Sequence, residues 1–487
     1  MEEKRAQAKQ LRAEGKYMSA LQAYQEILMH DLKRYGPLDK KIIADYYNIS
    51  NLYENLHDYK KALEYQKQSL DTMKKMDAAM HPSIAMVMSD IARLNSKLGN
   101  NEEGLKNMQQ AYEILCKYFG PTHSEVLLTL NDLGDINFRM NRYEEALQIY
   151  DKILKVYEET NGVNQRTFAV TLNKKGSVYL EMKDFKKAIE HFEKAYEILK
   201  NVYQSQSHPE LSIILDDMAL AYEVSGEKDK ALELYLQALE INEKFAQDRP
   251  EAKLNSFNQI GRLNSRIGNY DQAIEYFEKA LNFAKSNLST DQSLIANEYS
   301  ILALCYERMN NLDKALEDIS KSIEIEFQAK GGESKEAALS LSHKGRFLAL
   351  KGQNEEGLKL CNEALEIIQR VAPNNVSETG RINHDIGRCY ILGGDIRKAR
   401  GYIRTAKLLL EKTHGSDELF LGFCLKDAAE VEFNLGNRTI ARELLKNAFK
   451  IFKYFLGKDN QVVIDTIRLD EEWEKFGLMD KSHTKLH

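Results

Sequence analysis

The sequence is poor in proline, in paired cysteines and in long apolar runs, and each shortage excludes a class of protein. Its 487 residues hold 6 prolines and 26 glycines, which excludes collagen-like and proline-rich disordered chains. The five cysteines are scattered, odd in number and form no CxxC pair, which argues against a disulfide framework and a zinc ribbon. No run of about eighteen apolar residues occurs, and the N-terminus has no apolar core of signal-peptide length. We therefore expect a cytoplasmic protein with no membrane partner.

The chain also has no net positive charge. The net charge is −6 and the pI is near 6.1, so no global positive field would attract nucleic acid. We expect no nucleic-acid partner. Hydrophobic residues make up 43% of the chain and charged residues 29%, a balance that favours amphipathic helices.

A repeat of 42 residues is the dominant pattern of the sequence. Each copy has a small residue, here called the anchor, in segments such as GKYMSALQAY and NRYEEALQIY. Successive anchors are 42 residues apart, except for one interval of 43 between Ala188 and Ala231. The eleven anchors are Ala20, Ala62, Gly104, Ala146, Ala188, Ala231, Ala273, Ala315, Gly357, Ala399 and Ala441.

Other positions keep the same phase, and they predict two helices in each repeat. A second small residue lies twelve positions before each anchor, which would let paired helices approach closely. Five positions before the anchor, nine of the eleven repeats have Gly or Asn, as a left-handed turn requires, and the exceptions are His57 and Lys183. All six prolines fall between repeats, where they cannot break a helix. The pattern predicts a first helix, helix A, then a turn and a second helix, helix B.

These positions resemble the tetratricopeptide consensus, whose usual period is about 34 residues. The longer period, with segments between repeats such as YFGPTHSEV, is similar to the subclass found in kinesin light chains and nephrocystin-3-like proteins. The resemblance covers residues 1–457 and implies an all-α, right-handed superhelical solenoid of about eleven helix-turn-helix repeats. The first repeat begins almost at Met1 with no heptad coiled coil before it, so we do not expect a kinesin light chain itself. Residues 458–487, with Trp473, are expected to form a capping helix and a short tail.

The sequence lacks the common catalytic motifs. No HExxH, GxSxG, GxxxxGK[ST] or GxGxxG is placed in the sequence, so we expect no enzyme activity, cofactor, metal or small-molecule substrate. The most suggestive group is Asn383, His384 and Asp385 near Cys389, because a Cys/His pair can be a nucleophilic dyad. The alternative is that these residues are consecutive positions of one helix and point in different directions.

Binding is then expected on the surface. The resemblance implies a concave face lined mainly by helix A, at positions fifteen, eleven and eight before the anchor. Asparagine amides there could pair with both the N–H and the C=O of an extended peptide, and arginines would favour acidic segments. Arg262, Arg346 and Arg388 make the C-terminal half the preferred site for an acidic ligand. The competing interpretation is an ordinary solvated helix face. The candidate groove residues are Tyr47, Asn51, Arg93, Asn131, Asn173, Asn258, Arg262, Arg346, His384 and Arg388.

The leading functional prediction is a non-catalytic scaffold or adaptor that binds extended peptide segments in this polar groove. The alternative is a structural subunit of a cytoskeletal or ciliary, microtubule-associated assembly that bridges neighbouring proteins. A chaperone-binding version would need a Lys and Asn clamp for a C-terminal EEVD carboxylate, and Arg5, Lys9 and Asn48 supply only half of one.

Overall fold

The computed structural model is built from pairs of helices joined by short turns. It describes residues 1–56, 58–76, 81–159, 165–413, 416–458 and 460–475. Within these ranges the chain forms 23 α-helices and no strand, so the prediction of an all-α array of helix-turn-helix repeats is confirmed. The helices are α1 Glu2–Ala13, α2 Tyr17–Tyr35, α3 Lys40–Asn55, α4 Tyr59–Lys75, α5 Pro82–Lys97, α6 Asn101–Phe119, α7 Ser124–Arg139, α8 Tyr143–Glu159, α9 Gln165–Glu181, α10 Phe185–Tyr203, α11 Pro209–Ser225, α12 Lys228–Lys244, α13 Pro250–Ile267, α14 Tyr270–Asn287, α15 Gln292–Arg308, α16 Leu312–Lys330, α17 Lys335–Leu350, α18 Asn354–Val371, α19 Val376–Leu392, α20 Ile396–Leu410, α21 Ser416–Asn434, α22 Arg438–Leu456 and α23 Gln461–Lys475.

The odd-numbered helices α1 to α21 are helix A of the eleven repeats, and the even-numbered helices α2 to α22 are helix B. The turns between them are left-handed as predicted, with φ of 57° at Asn141 and 58° at Asn310. Lys183, which the sequence marks as an exception, adopts a φ of 63° at the same position, while His57 lies outside the described residues. The turn geometry is therefore set by the two helices it joins as well as by its own residue.

Capping side chains define where several A helices begin. His123 precedes α7, and its Nδ1 accepts a hydrogen bond from the backbone N–H of Glu125 at 3.2 Å. His208 caps α11 in the same way through the N–H of Glu210. Each cap satisfies one of the N–H groups that a helix leaves without an internal partner at its first turn.

The close approach of helices A and B explains the small residues twelve positions before the anchor. Gly261 of α13 lies beneath the buried ring of Phe277 in α14, and a Cβ at Gly261 would stand 2.5 Å from that ring. Gly176 and Phe192 repeat the arrangement in α9 and α10, also with 2.5 Å to the ring. In these two repeats the ring that fills this space comes four positions after the anchor, so a glycine on helix A and an aromatic ring on helix B set how closely the two helices pack.

Contacts divide the chain into two compact units. Unit 1 is Met1–Val202 and holds α1 to α9 with nearly all of α10. Unit 2 is Tyr203–His487 and holds α11 to α23. At its end α23 packs on α22, and the Trp473 ring stacks on Phe433 with 4.1 Å between centroids. The division into an array over residues 1–457 and a cap over 458–487 stays a proposal, and residues 476–487 of the tail lie outside the described part of the chain.

Unit 2 closes on itself. The Lys228 ammonium at the beginning of α12 donates to the carbonyl oxygen of Leu456, the last residue of α22, at 2.5 Å. The Asn460 amide donates to the carbonyl oxygen of Arg266, near the end of α13, at 2.7 Å. The eleventh repeat therefore returns to the turns of the sixth and seventh, and unit 2 completes one turn.

Replacing Gly261 by Ala tests the packing rule. The new methyl group meets the buried ring of Phe277, so we expect the free energy of unfolding to fall by about 1–3 kcal/mol. Gly401 is the matched control, because it lies inside α20 with nothing within 4 Å of its added Cβ. Gly401→Ala should stabilise the protein by about 0.5–1 kcal/mol. Urea titrations followed by circular dichroism measure both, and a change of the same sign in the two variants would contradict the rule.

Candidate functional site

One side of helices α3, α5 and α7 carries an exposed apolar side chain. Positions eighteen and eleven before the anchor are seven residues apart, about two turns, so they share a direction on the helix. The first of these positions holds Ala44, Met86, Leu128 and Val170, which we call the apolar row. Met86 is 59% exposed and Leu128 51%, Ala44 is also exposed, and Val170 is half-buried. The row recurs every 42 residues, on α3, α5, α7 and α9.

Charged groups flank the apolar row, and they are matched within the same face. Arg93 pairs with Asp90 on its own helix and lies 3.7 Å from an Asp132 carboxylate oxygen on α7. The Lys174 ammonium is 2.8 Å from Asp135. Burial raises the pKa of the Asp90 and Asp132 carboxyls, and Arg93 acts in the opposite direction. This face of unit 1 thus offers apolar side chains between ion pairs.

The predicted groove residues of unit 1 differ from one another in how exposed they are. Tyr47 is 44% exposed and Arg93 is exposed, while Asn51 and Asn173 are half-buried. Asn131 is buried, its amide donates to the Leu127 carbonyl oxygen at 3.4 Å, and its own oxygen accepts from Thr171 of α9 at 3.4 Å. The expectation that Asn131 is open to a ligand is wrong, because its position lies toward the next helix A.

The same correction applies to Asn258 in unit 2. Its side chain is buried, and its amide donates to the Glu298 carboxylate of α15 at 2.9 Å. Burial raises the pKa of Glu298, against the effect of this hydrogen bond. Arg262, one helical turn further along α13, is exposed. Of the three arginines assigned to an acidic ligand, only Arg262 lies open to solvent.

Arg346 belongs to a buried ion-pair group that crosses three A helices. It pairs with Glu307 of α15, and its Nε lies 2.8 Å from an Asp385 carboxylate oxygen of α19. The other Asp385 oxygen accepts a hydrogen bond from Ser342 at 2.8 Å. Burial acts to raise the pKa of Asp385, but Arg346 and the nearby histidines hold it below its ordinary value. The Arg346 charge is therefore already matched by carboxylates of its own chain.

His384 and Arg388 continue this group to α21. The His384 Nε2 lies 2.9 Å from an Asp427 carboxylate oxygen, and the Arg388 Nε lies 3.7 Å from the same oxygen. His384 is 3% exposed, with its ring 5.1 Å from that of Phe420. The expectation that Arg346 faces an acidic ligand and that His384 lies in an open groove is wrong, because the Arg346 side chain is only 12% exposed, His384 is buried, and both are paired with carboxylates of neighbouring A helices. Arg388 is half-buried and has Asp427 of α21 as its partner.

The catalytic dyad and the chaperone clamp are not formed by the residues suggested for them. The Cys389 sulfur lies 3.9 Å from that of Cys361, while His384 is engaged with Asp427. Arg5 is held by Asp45 at 2.6 Å and by a second carboxylate, so it is not open to a C-terminal carboxylate. Both sets of residues are engaged in contacts between helices of their own chain.

Asp216 also lies fifteen positions before its anchor, and it forms none of the contacts with the next helix A that Asn258 and His384 form. It lies on α11, and one of its carboxylate oxygens is buried with no hydrogen-bond partner in the described ranges. Burial, with a contribution from the neighbouring Asp217, raises the pKa of Asp216 to about 7. A carboxylate held in this way costs stability when it is ionised, and such groups are common at binding sites.

The described residues offer neither a metal site nor a membrane-spanning helix. Among the described residues, no three His, Cys, Asp or Glu side chains are grouped so that they could hold a metal ion. No helix in the described ranges combines the length and the apolar character needed to cross a membrane.

The chain belongs to the tetratricopeptide repeat family. One model of the family matches residues 83–159, 167–244, 252–326 and 336–407, which is more than half of the chain, and a second matches residues 46–79. Solenoids of this kind present extended surfaces for binding other proteins. The family thereby identifies the chain as a protein-interaction scaffold.

The solved structures similar to this chain are also repeat proteins. A Rap protein complexed with competence and sporulation factor is 14% identical, with a TM-score of 0.48 over 76% of this chain and 98% of that one. BtubC (BKLC) from P. vanneervenii is 19% identical, with a TM-score of 0.38 over 46% of this chain and 90% of that one. A kinesin light chain-like protein from Podosopora anserina is 20% identical, with a TM-score of 0.36 over 42% and 98%. No curated protein matches the sequence. None of these likenesses assigns a ligand to this chain.

Arg346→Ala tests whether the buried ion pairs are structural. The substitution leaves Glu307 and Asp385 without their counter-charge in a buried setting, so we expect a loss of about 3–5 kcal/mol in the free energy of unfolding. Arg262→Ala is the control at the same register, and because Arg262 is exposed its effect should stay within about 0.5 kcal/mol. Equal stability losses in the two variants, measured by urea titration, would contradict this role.

Asp216→Asn should stabilise the protein in alkaline solution. Because the pKa of Asp216 is about 7 in the folded protein and its ordinary value is 3.8, the free energy of unfolding falls as pH rises between these values. Asparagine is neutral at every pH, so the free energy of unfolding of the variant should exceed that of wild type by roughly 1–4 kcal/mol at about pH 8 and by less at about pH 5. Urea titrations at the two pH values measure the gain. Asp229→Asn, on the exposed first turn of α12, should show no such difference, and a pH-independent gain at Asp216 would refute the assignment.

Proposed function

We propose that the protein is a non-catalytic adaptor that binds polypeptide segments along the exposed sides of its A helices, with the apolar row of unit 1 as a main contact. The observation that carries this proposal is the regular exposure of Met86 and Leu128, at the same register of neighbouring repeats. Single exposed apolar residues are normal on protein surfaces, whereas apolar exposure that recurs at one register of successive repeats favours an interaction site.

The surroundings of the row favour a segment with apolar side chains over an acidic one. Tyr47, three positions after Ala44 on α3, is 44% exposed and extends the row by one turn. Arg93 is matched by Asp90 and Asp132, so its charge does not favour a carboxylate of a ligand. Apolar contacts and the tyrosine would supply affinity here, with the ion pairs forming a polar border.

Pairing of an asparagine amide with a peptide backbone is retained for Asn51, which is half-buried on α3 beside the row. The amide oxygen of Asn173 is buried, so Asn173 is left out of the binding surface. Arg262 has the exposure that contact with an acidic group would require. Asn131, Asn258, Arg346, His384 and Arg388 are left out of the binding surface.

A structural role in a cytoskeletal or ciliary assembly is the alternative, and it stays a prediction, as does a cytoplasmic or cytoskeletal location. A lattice subunit would use the outer surfaces of helix B and the ends of the repeats more than the apolar row. The two functions therefore differ in which substitutions abolish binding.

A paired substitution on the row tests the proposal. Peptides are first selected on the purified full chain from a random library displayed on phage. Their dissociation constants are then measured by fluorescence polarisation with the double variant Met86→Asp, Leu128→Asp. Because two apolar contacts are replaced by charges, we expect binding at least tenfold weaker, about 1.4 kcal/mol.

The control variant carries the same substitutions on helix B. Met29 of α2 is 60% exposed and Leu408 of α20 is 51% exposed, which matches the row residues in type and accessibility. Met29→Asp, Leu408→Asp should leave the dissociation constants unchanged. Weaker binding in the control, with full binding in the row variant, would favour the lattice alternative.

A further inference from the structure

A pocket of about 350 Å³ opens beside Asp216 in unit 2. It lies between the beginning of α11, the end of α12 and the beginning of α13, and Ile213 and Asn255 on its wall occupy the register of the apolar row. Its volume is within the range of ligand pockets, roughly 300–1,000 Å³. The pocket therefore lies where a segment on the A helices could place one side chain.

Asp216 is the group on the pocket wall that lacks a partner. One of its oxygens accepts no hydrogen bond, and it forms no ion pair within the part of the chain that is described. Two other polar wall residues are hydrogen-bonded, because Ser212 donates to the Asn242 oxygen at 2.8 Å and the Asn242 amide donates to Ser256 at 2.9 Å. What the pocket lacks is a donor or a cation for Asp216.

The remaining wall residues fit a cation on an aliphatic stem. Asp248 and Glu251 add two exposed carboxylates, and Arg249 is the single basic side chain of the wall. An anion would be repelled by this surplus of negative charge. Ile213, 45% exposed, provides an apolar surface of the kind that the methylene groups of Lys and Arg cover while their charged heads reach a polar group.

We propose that this pocket receives a lysine or arginine side chain of a polypeptide segment bound by unit 2, with Asp216 as its counter-charge. The inference rests on the proposed function, because it takes a polypeptide as the ligand. It predicts a preference for basic segments, whereas the sequence pattern predicts acidic ones. A bound cation would offset the free-energy cost of burying the Asp216 carboxylate without a partner.

The test is a double-mutant cycle between protein and peptide. Peptides selected from a random phage-displayed library on the wild-type full chain are expected to be enriched in Lys or Arg. In one such peptide each basic residue is replaced in turn by Gln, and binding is measured to wild type, Asp216→Asn and Asp229→Asn. At one position the replacement should weaken binding to wild type and to Asp229→Asn about tenfold, and to Asp216→Asn less than about twofold.

The outcomes separate this proposal from the function on which it rests. If the wild-type protein selects no peptide, the adaptor function fails and the pocket assignment fails with it. If peptides are selected and the Met86, Leu128 double variant weakens them, but none shows the cycle with Asp216, only the pocket assignment is overturned. A pocket that binds free spermidine as tightly as the peptide would also overturn it, because the segment would then contribute nothing. Asp216→Asn is expected to fold, since it removes a buried charge.

Discussion

The distance between helix A and helix B within a repeat is the constraint on which the rest of the structure depends. Gly176 and Gly261 admit the rings of Phe192 and Phe277 to within contact of the backbone, and any side chain at these glycines would push the helices apart. Since interiors are close-packed, a change in one pair would be transmitted to its neighbours. A constant distance keeps the A helices in a constant register, which is why positions 42 residues apart come to lie on one face.

That register also decides which polar groups are available for binding. Of the side chains fifteen positions before the anchor, Asn131, Asn258 and His384 are hydrogen-bonded to the next helix A. Of those eighteen positions before it, Met86 and Leu128 face outward. On α7 the two positions, less than a turn apart, thus have different roles. Asn131 joins the helix to α9, and Leu128 is left for partners.

The periodicity was sufficient to predict the repeats, the helix pairs and the turns, because each depends on residues within one repeat. Even Lys183, a poor residue for a left-handed turn, takes the predicted conformation since the helices on either side require it. The burial of Arg346 was not predictable in this way. It depends on Glu307 and Asp385, which lie about 39 residues away on either side and carry no sign of pairing in their own sequence. The exposed row could have been found, because the register eighteen before the anchor is apolar in four successive repeats.

The closure of unit 2 has a mechanical consequence. A superhelix whose end is hydrogen-bonded to its beginning resists lengthening, since the Lys228 and Asn460 hydrogen bonds hold the eleventh repeat against the sixth and seventh. Tension that separates these repeats would have to break both hydrogen bonds. Both acceptors are backbone carbonyls, of Leu456 and Arg266, so replacing those two side chains would keep the acceptors, whereas replacing Lys228 or Asn460 would remove a donor.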